Sequence, residues 1–109
     1  MLTALRSALD ATGYPFSHFG WTRAANATRG DFGVYAEEAG ADFEADGIHA
    51  ERGTAVTVDF FTHDDSGLPR ATIESAFRTV PGAAWNLVSI SYDEDAGYLH
   101  YHWEVGLHG

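Results

Sequence analysis

The chain has no cysteine, one methionine and three prolines in 109 residues, and its six basic residues include no lysine. Without cysteine there is no disulfide, no thiolate zinc centre and no thiol nucleophile. No apolar run approaches the length needed to span a bilayer. Met1 to Thr3 opens directly into a helix pattern with no signal-peptide core, so a soluble protein made in a cytoplasm is expected. No phosphate-binding loop or dinucleotide fingerprint is present. Basic charge is also scarce: six arginines face sixteen acidic residues, a net charge of −10. That balance excludes a sequence-independent nucleic-acid binder, which needs a basic face against phosphates, and it disfavours anionic membranes. An all-arginine basic set is what a GC-rich genome produces. The same acidity would suit a surface that repels nucleic acid or works in high salt.

What is there is periodic. Leu2, Leu5 and Leu9, with Ala4 and Ala8, form one apolar helical stripe that Gly13 and Pro15 end. Tyr14 to Trp21 is aromatic without a clean period, either an extended segment over the core or an exposed contact strip. Thr22 to Gly30 reads as a loop; its Asn26-Ala27-Thr28 fits the glycosylation pattern only by chance in the absence of a secretion signal. Asp31 to Glu37 is strand-like. Gly40 to Gly47 is a long turn or projecting loop carrying Phe43 among Asp42, Glu44 and Asp46.

Thr54 to Thr62 alternates: Val56, Val58 and Phe60 on one face; Ala55, Thr57, Asp59 and Phe61 on the other. Asp64, Asp65 and Ser66 offer N-cap oxygens and Pro69 suits a first helical turn. Leu68, Ile73, Ala76, Phe77 and Val80 are the buried stripe of that helix, which Pro81 and Gly82 stop. Trp85 to Tyr92 and Tyr98 to Leu107 are strands joined by a turn, where Gly97 supplies a positive φ. In the last strand Leu99, Tyr101, Trp103, Val105 and Leu107 share one face, and His100, His102 and Glu104 the other. These elements predict a single α+β domain over 1–109, an antiparallel sheet with two helices on one face in the order α-β-β-α-β-β. Val56, Val58, Phe60, Ile73, Phe77, Val88, Ile90, Tyr101 and Trp103 are expected to form its core.

Candidate chemistry is sparse. His100, His102 and Glu104 are a candidate metal-ligand set that His63 and Asp64 could complete. Same-face neighbours on one strand, however, look too far apart to close on one ion, and ligands usually come from several elements. A solvated polar face without metal or cofactor is therefore expected. A serine triad can be written from Ser89 or Ser91 with His100 and Asp59, but both serines lie mid-strand with no nucleophile elbow. Asp93 and Asp95, like Asp64 and Asp65, sit at turns and read as capping residues. No catalytic site is expected. Exposed aromatics such as Phe43, one of Phe60 and Phe61, and Trp85 are the better candidates for function, as partner contacts.

In order and spacing these motifs resemble the tail-terminator or tail-completion proteins of long-tailed bacteriophages. The likeness is carried by Leu2-x-x-Leu5, Gly13 to Phe16, Val34-Tyr35, Phe43-x-Ala45-Asp46 and Val58 to Thr62. Glu74, Trp85 and Tyr101 to Val105 complete it. It departs at Ser17 to Gly30, where small residues replace a short proline-rich link. The resemblance implies a non-enzymatic virion protein that forms a ring, usually hexameric, at the head-proximal end of the tail. Such a ring ends the tail tube and joins it to a neck or head-completion protein, and DNA passes through without specific binding. Head-closure or adaptor proteins of the neck are the near alternative. A small metal-dependent enzyme using His63, His100, His102 and Glu104, or an acidic adaptor that mimics nucleic acid, are alternatives of other classes. Under the ring reading Phe16, Phe19, Trp21, Phe43 and Ile48 are expected at the subunit interface, and Asp42, Glu44 and Asp46 at the lumen or rim.

Overall fold

The computed structural model describes residues 2–19, 30–38 and 53–108. Its elements are α1 (Leu2–Ala11), β1 (Phe16–His18), β2 (Phe32–Glu37), β3 (Gly53–Thr62), α2 (Leu68–Arg78), β4 (Ala84–Asp93) and β5 (Tyr98–His108). The strands form one sheet in the order β1-β2-β3-β5-β4. The α+β class is as expected, with both helices packed on one face of the sheet. The order differs by one strand. Phe16 to His18, within the aromatic segment that lacked a period, form β1, which pairs parallel with β2, so the sheet is mixed rather than antiparallel. A parallel pair needs a crossover of about a dozen residues, and residues 19–31 separate the two strands. The ring of Phe16 lies over Gly33, where an added Cβ would stand 2.2 Å from the ring edge. Glycine at this position therefore lets Phe16 and, beside it, Tyr14 reach Phe60, with ring centroids 5.7 and 4.9 Å away.

Helix α2 starts differently from the simple capping pattern. Its N-cap is Gly67, in a left-handed conformation with φ 89°. Ser66 Oγ accepts the Leu68 N–H at 3.2 Å, and Asp64 Oδ1 accepts the Ser66 N–H at 2.8 Å, so the expected oxygens act one step upstream. Leu68, expected in the stripe, is 61% exposed, and Pro69 is buried instead. Ile73, Ala76, Phe77 and Val80 are buried as expected, together with Glu74. The hairpin turn holds as read: Asp93 Oδ1 accepts the N–H groups of Asp95 and Ala96 at 3.0 and 3.2 Å, and Gly97 has φ 75°.

The core joins Leu5 and Leu9 of α1 and Ile73 and Phe77 of α2 to Tyr35, Val56, Val58, Phe60, Tyr101, Trp103, Val105 and Leu107. Trp103 is fully buried at its centre. Its ring stacks on Tyr101 at 5.7 Å, meets the edge of Phe77 at 5.5 Å, and donates its indole N–H to Glu74 Oε2 at 3.0 Å. Arg70 Nε donates to the same oxygen at 3.0 Å, so the part-buried carboxylate has a counter-ion.

Two residues expected in this core are outside it. Val88 and Ile90 are each 48% exposed. The register of β4 against β5 shifts between Leu87 and Ser89, leaving Val88 unpaired as the extra residue of a bulge. Before the bulge Trp85 and Leu87 pack against the core; beyond it the strand runs out past the cover of the helices. Phe61 also leaves the helix-side core and joins Phe32, Val34 and Tyr98 in a second cluster on the opposite face.

Phe77→Ala is expected to cost about 3–5 kcal/mol through the lost transfer energy and the cavity left under Trp103. Glu74→Ala is expected to cost about 1–3 kcal/mol, because the buried indole N–H loses the acceptor it has among the described residues. Urea denaturation of the two variants checks both values.

Candidate functional site

The face of the sheet turned away from the helices carries the odd residues of β3 and the even residues of β5. Asp59 pairs across the ladder with His102, and Phe61 with His100. The result is a cluster that linear spacing conceals. His100 Nε2 and His102 Nδ1 each lie 2.7 Å from the same oxygen, Oδ1 of Asp59. An ionised carboxylate only accepts, so both ring nitrogens carry the donated hydrogen. The set of His100, His102 and Glu104 along one strand does not close, since Glu104 stays outside; the two histidines meet through Asp59 of a second strand instead. Side chains two residues apart on β5 tilt toward a point between them, and the third group comes from β3, 41 and 43 residues away in the chain.

Other groups hold the cluster in place. The His100 ring stacks on Phe61 with centroids 4.2 Å apart. Val34 of β2 stands beside Asp59 on the far side from the histidines, and Ser89 and Ser91 of β4 stand beside His102 and His100. Asp59 is only 19% exposed at its side chain, the histidines 27% and 30%. Burial pushes the Asp59 carboxyl up, but the hydrogen bonds from His100 and His102 and their charge outweigh it and hold the group below its ordinary value.

The remaining candidates fall elsewhere. His63 donates from Nδ1 to the Gly97 carbonyl at 2.8 Å and stacks on Tyr98, and Asp64 is engaged at the start of α2, so neither extends the cluster. Glu104 is exposed between Thr57 and Asn86 and is not part of it. Neither Ser89 nor Ser91 hydrogen-bonds an imidazole among the described residues; Ser89 adjoins the bulge, and both serines lie within β4 rather than on a turn. Two open clefts lie elsewhere. One of about 230 Å³ lies between the helices beside Ala8, Thr12, Ser75 and Thr79, and one of about 260 Å³ beside Trp85 and Glu104.

Of the expected interface residues, Phe16 is half-buried and packed on the core, the first of the two arrangements open for the aromatic segment. Phe19 is 63% exposed, with φ 60°, against the ring of His18. Trp21, Phe43, Ile48, Asp42, Glu44 and Asp46 lie outside the described residues.

Sequence reasoning missed a second surface, the outer edge of β4, which no other strand pairs among the described residues. From Ala84 to Tyr92 this edge has no charged residue and no proline, although 22 of the 109 residues are charged. Val88, Ile90 and Tyr92 stand exposed along it. Edge strands of isolated domains are usually blunted by lysine, proline or inward charge; among these devices β4 has only its bulge. The signal was present in the sequence as an uncharged strand, but placing it at the edge needed the strand order.

The depressed acidity of Asp59 has a defined sign in stability. Its contribution is present above the ordinary value of 3.8 and is lost as pH falls through the lower native value. In chelator-containing buffer, Asp59→Asn is expected to be less stable than the natural protein at neutral pH, the gap closing below about pH 4. Urea midpoints of the two proteins across that range measure it.

Compared with protein-family models, curated proteins and solved structures, the chain shows no match, so what it does has to be read from this face and this edge.

Proposed function

We propose that the chain is a structural assembly subunit: a ring protein of the head-proximal end of a phage tail, ending the tail tube and joining it to the neck. The observation that carries the assembly reading is the β4 edge, an uncharged open strand with Val88, Ile90 and Tyr92 exposed in a strongly acidic chain. Such an edge offers backbone donors and acceptors and apolar side chains to a neighbouring molecule. A ring needs two different patches on each subunit. The opposite edge of the sheet is β1, where exposed Phe19 follows the strand. β4 of one subunit against the β1 side of the next is a head-to-tail contact of that kind.

The particular ring is supported by the resemblance and by charge. At −10 per subunit a ring would be strongly acidic as a whole, which suits a passage through which DNA must slide without sticking. The partners in this reading are further copies of the chain, the tail tube protein and a neck or head-completion protein.

Native mass spectrometry, of the protein alone and incubated with tail tubes, is expected to give a closed ring of identical subunits. Ile90→Lys alters an exposed position and should change folding stability by no more than about 0.5 kcal/mol, yet it should abolish the ring. One-chain mass under both conditions, or an unaffected ring in the Ile90→Lys variant, would overturn the reading.

A further inference from the structure

We propose that Asp59, His100 and His102 bind one divalent transition-metal ion, with zinc as the natural occupant. Two imidazole nitrogens and one carboxylate oxygen all lie within 4.8 Å of one another. Zinc takes nitrogen at about 2.0–2.1 Å and carboxylate oxygen at about 2.0–2.2 Å, so its ligand atoms stand roughly 3.3 Å apart in a tetrahedron. The two nitrogen–oxygen separations here are 2.7 Å. Seating an ion among the three atoms asks the two nitrogen–oxygen separations to open by about 0.6 Å, a small adjustment of side-chain torsions.

The donor set selects the ion. Two imidazoles and one carboxylate suit zinc, copper and nickel, whereas calcium and magnesium require mostly oxygen ligands and more of them. Three protein ligands on an open sheet face leave a fourth position to water, the arrangement of zinc sites that are not closed by protein. Protons balance without a co-reactant. A neutral imidazole that gives up the hydrogen on its ligating nitrogen carries one on its other nitrogen instead, so the shift of tautomer frees Nε2 of His100 and Nδ1 of His102 for the metal.

The surroundings favour a built site over a chance approach of side chains. The ligands stand on two adjacent central strands, His102 directly opposite Asp59 and His100 on the diagonal. Phe61 holds the His100 ring by stacking, and Val34 closes the β2 side of Asp59. Beside the histidines β4 presents only Ser91 and Ser89, small residues whose hydroxyls suit the imidazole N–H groups that turn outward when metal binds. This inference does not rest on the ring reading, and either can fail alone.

The test uses the full chain without an affinity tag, stripped with chelator and titrated with zinc chloride by calorimetry and by competition with a chromophoric chelator. One zinc per chain with a dissociation constant in the micromolar range or tighter is expected. Asp59→Asn, His100→Gln and His102→Gln should each weaken binding by at least about tenfold, while His18→Gln and His63→Gln leave it unchanged. Long-range proton–nitrogen spectra of the natural protein provide a readout independent of variant folding. On adding zinc, His100 Nε2 and His102 Nδ1 should lose their hydrogens while the other imidazoles keep their tautomers. Absence of binding at millimolar zinc, affinity that survives both histidine replacements, or unchanged His100 and His102 tautomers at saturation would overturn the proposal.

Discussion

The hydrogen bond from the Trp103 indole to Glu74 organises the rest of the molecule. Trp103 is fully buried in β5, and the acceptor rides on α2, so one bond of 3.0 Å fixes where the helix sits over the sheet. It also fixes the parity of β5. With Trp103 under the helix, Tyr101, Val105 and Leu107 must follow it inward, because side chains alternate along a strand. His100, His102 and Glu104 are then obliged to face the other way. Burying a carboxylate is costly unless it is paired, and Arg70, one helical turn before Glu74, supplies the charge while Trp103 supplies a second donor.

The two faces that result are unequal. The helix side is a continuous apolar core. The other side is divided between a small aromatic cluster around Phe32, Val34, Phe61 and Tyr98 and the polar group of Asp59, His100 and His102. Phe61 belongs to both, as a wall of the aromatic cluster and as the plane on which the His100 ring rests. The consecutive Phe60 and Phe61 thus serve opposite faces. One completes the main core and the other stiffens the only group of three metal-capable side chains among the described residues.

The edge is a separate consequence of the same sheet. The bulge at Val88 changes the parity of β4, so Ser89 and Ser91 face the histidines, while Ile90 and Tyr92, opposite Tyr101 and Leu99, continue the helix-side row of Trp85 and Leu87 and stand exposed there. Without the extra residue Ser89 and Ser91 would have followed Trp85 and Leu87 onto the helix side, and Ile90 would have faced the histidines. The extra residue instead spends apolar side chains on the rim of the domain, where a neighbouring molecule can reach them. Assembly at the rim and metal at the polar face use different atoms and do not compete for the same surface.

Local patterns were sufficient for much of this. The helical stripes of Leu5 and Leu9 and of Ile73 and Phe77 appear because a helix brings residues three and four apart onto one face. The alternation in β3 and β5, the Asp93 to Gly97 turn and the α+β class follow from equally short-range geometry. Such features depend only on neighbours in the chain, so the amino-acid order determines them directly. Tertiary structure alone decided the parallel pairing of β1, made possible by the missing side chain at Gly33, and the bulge at Val88 that turns Ser89 and Ser91 toward the histidines. It alone brought Asp59 between His100 and His102. That meeting depends on the register of two strands far apart in sequence, and register is set by how side chains fill a shared core, which no local spacing encodes.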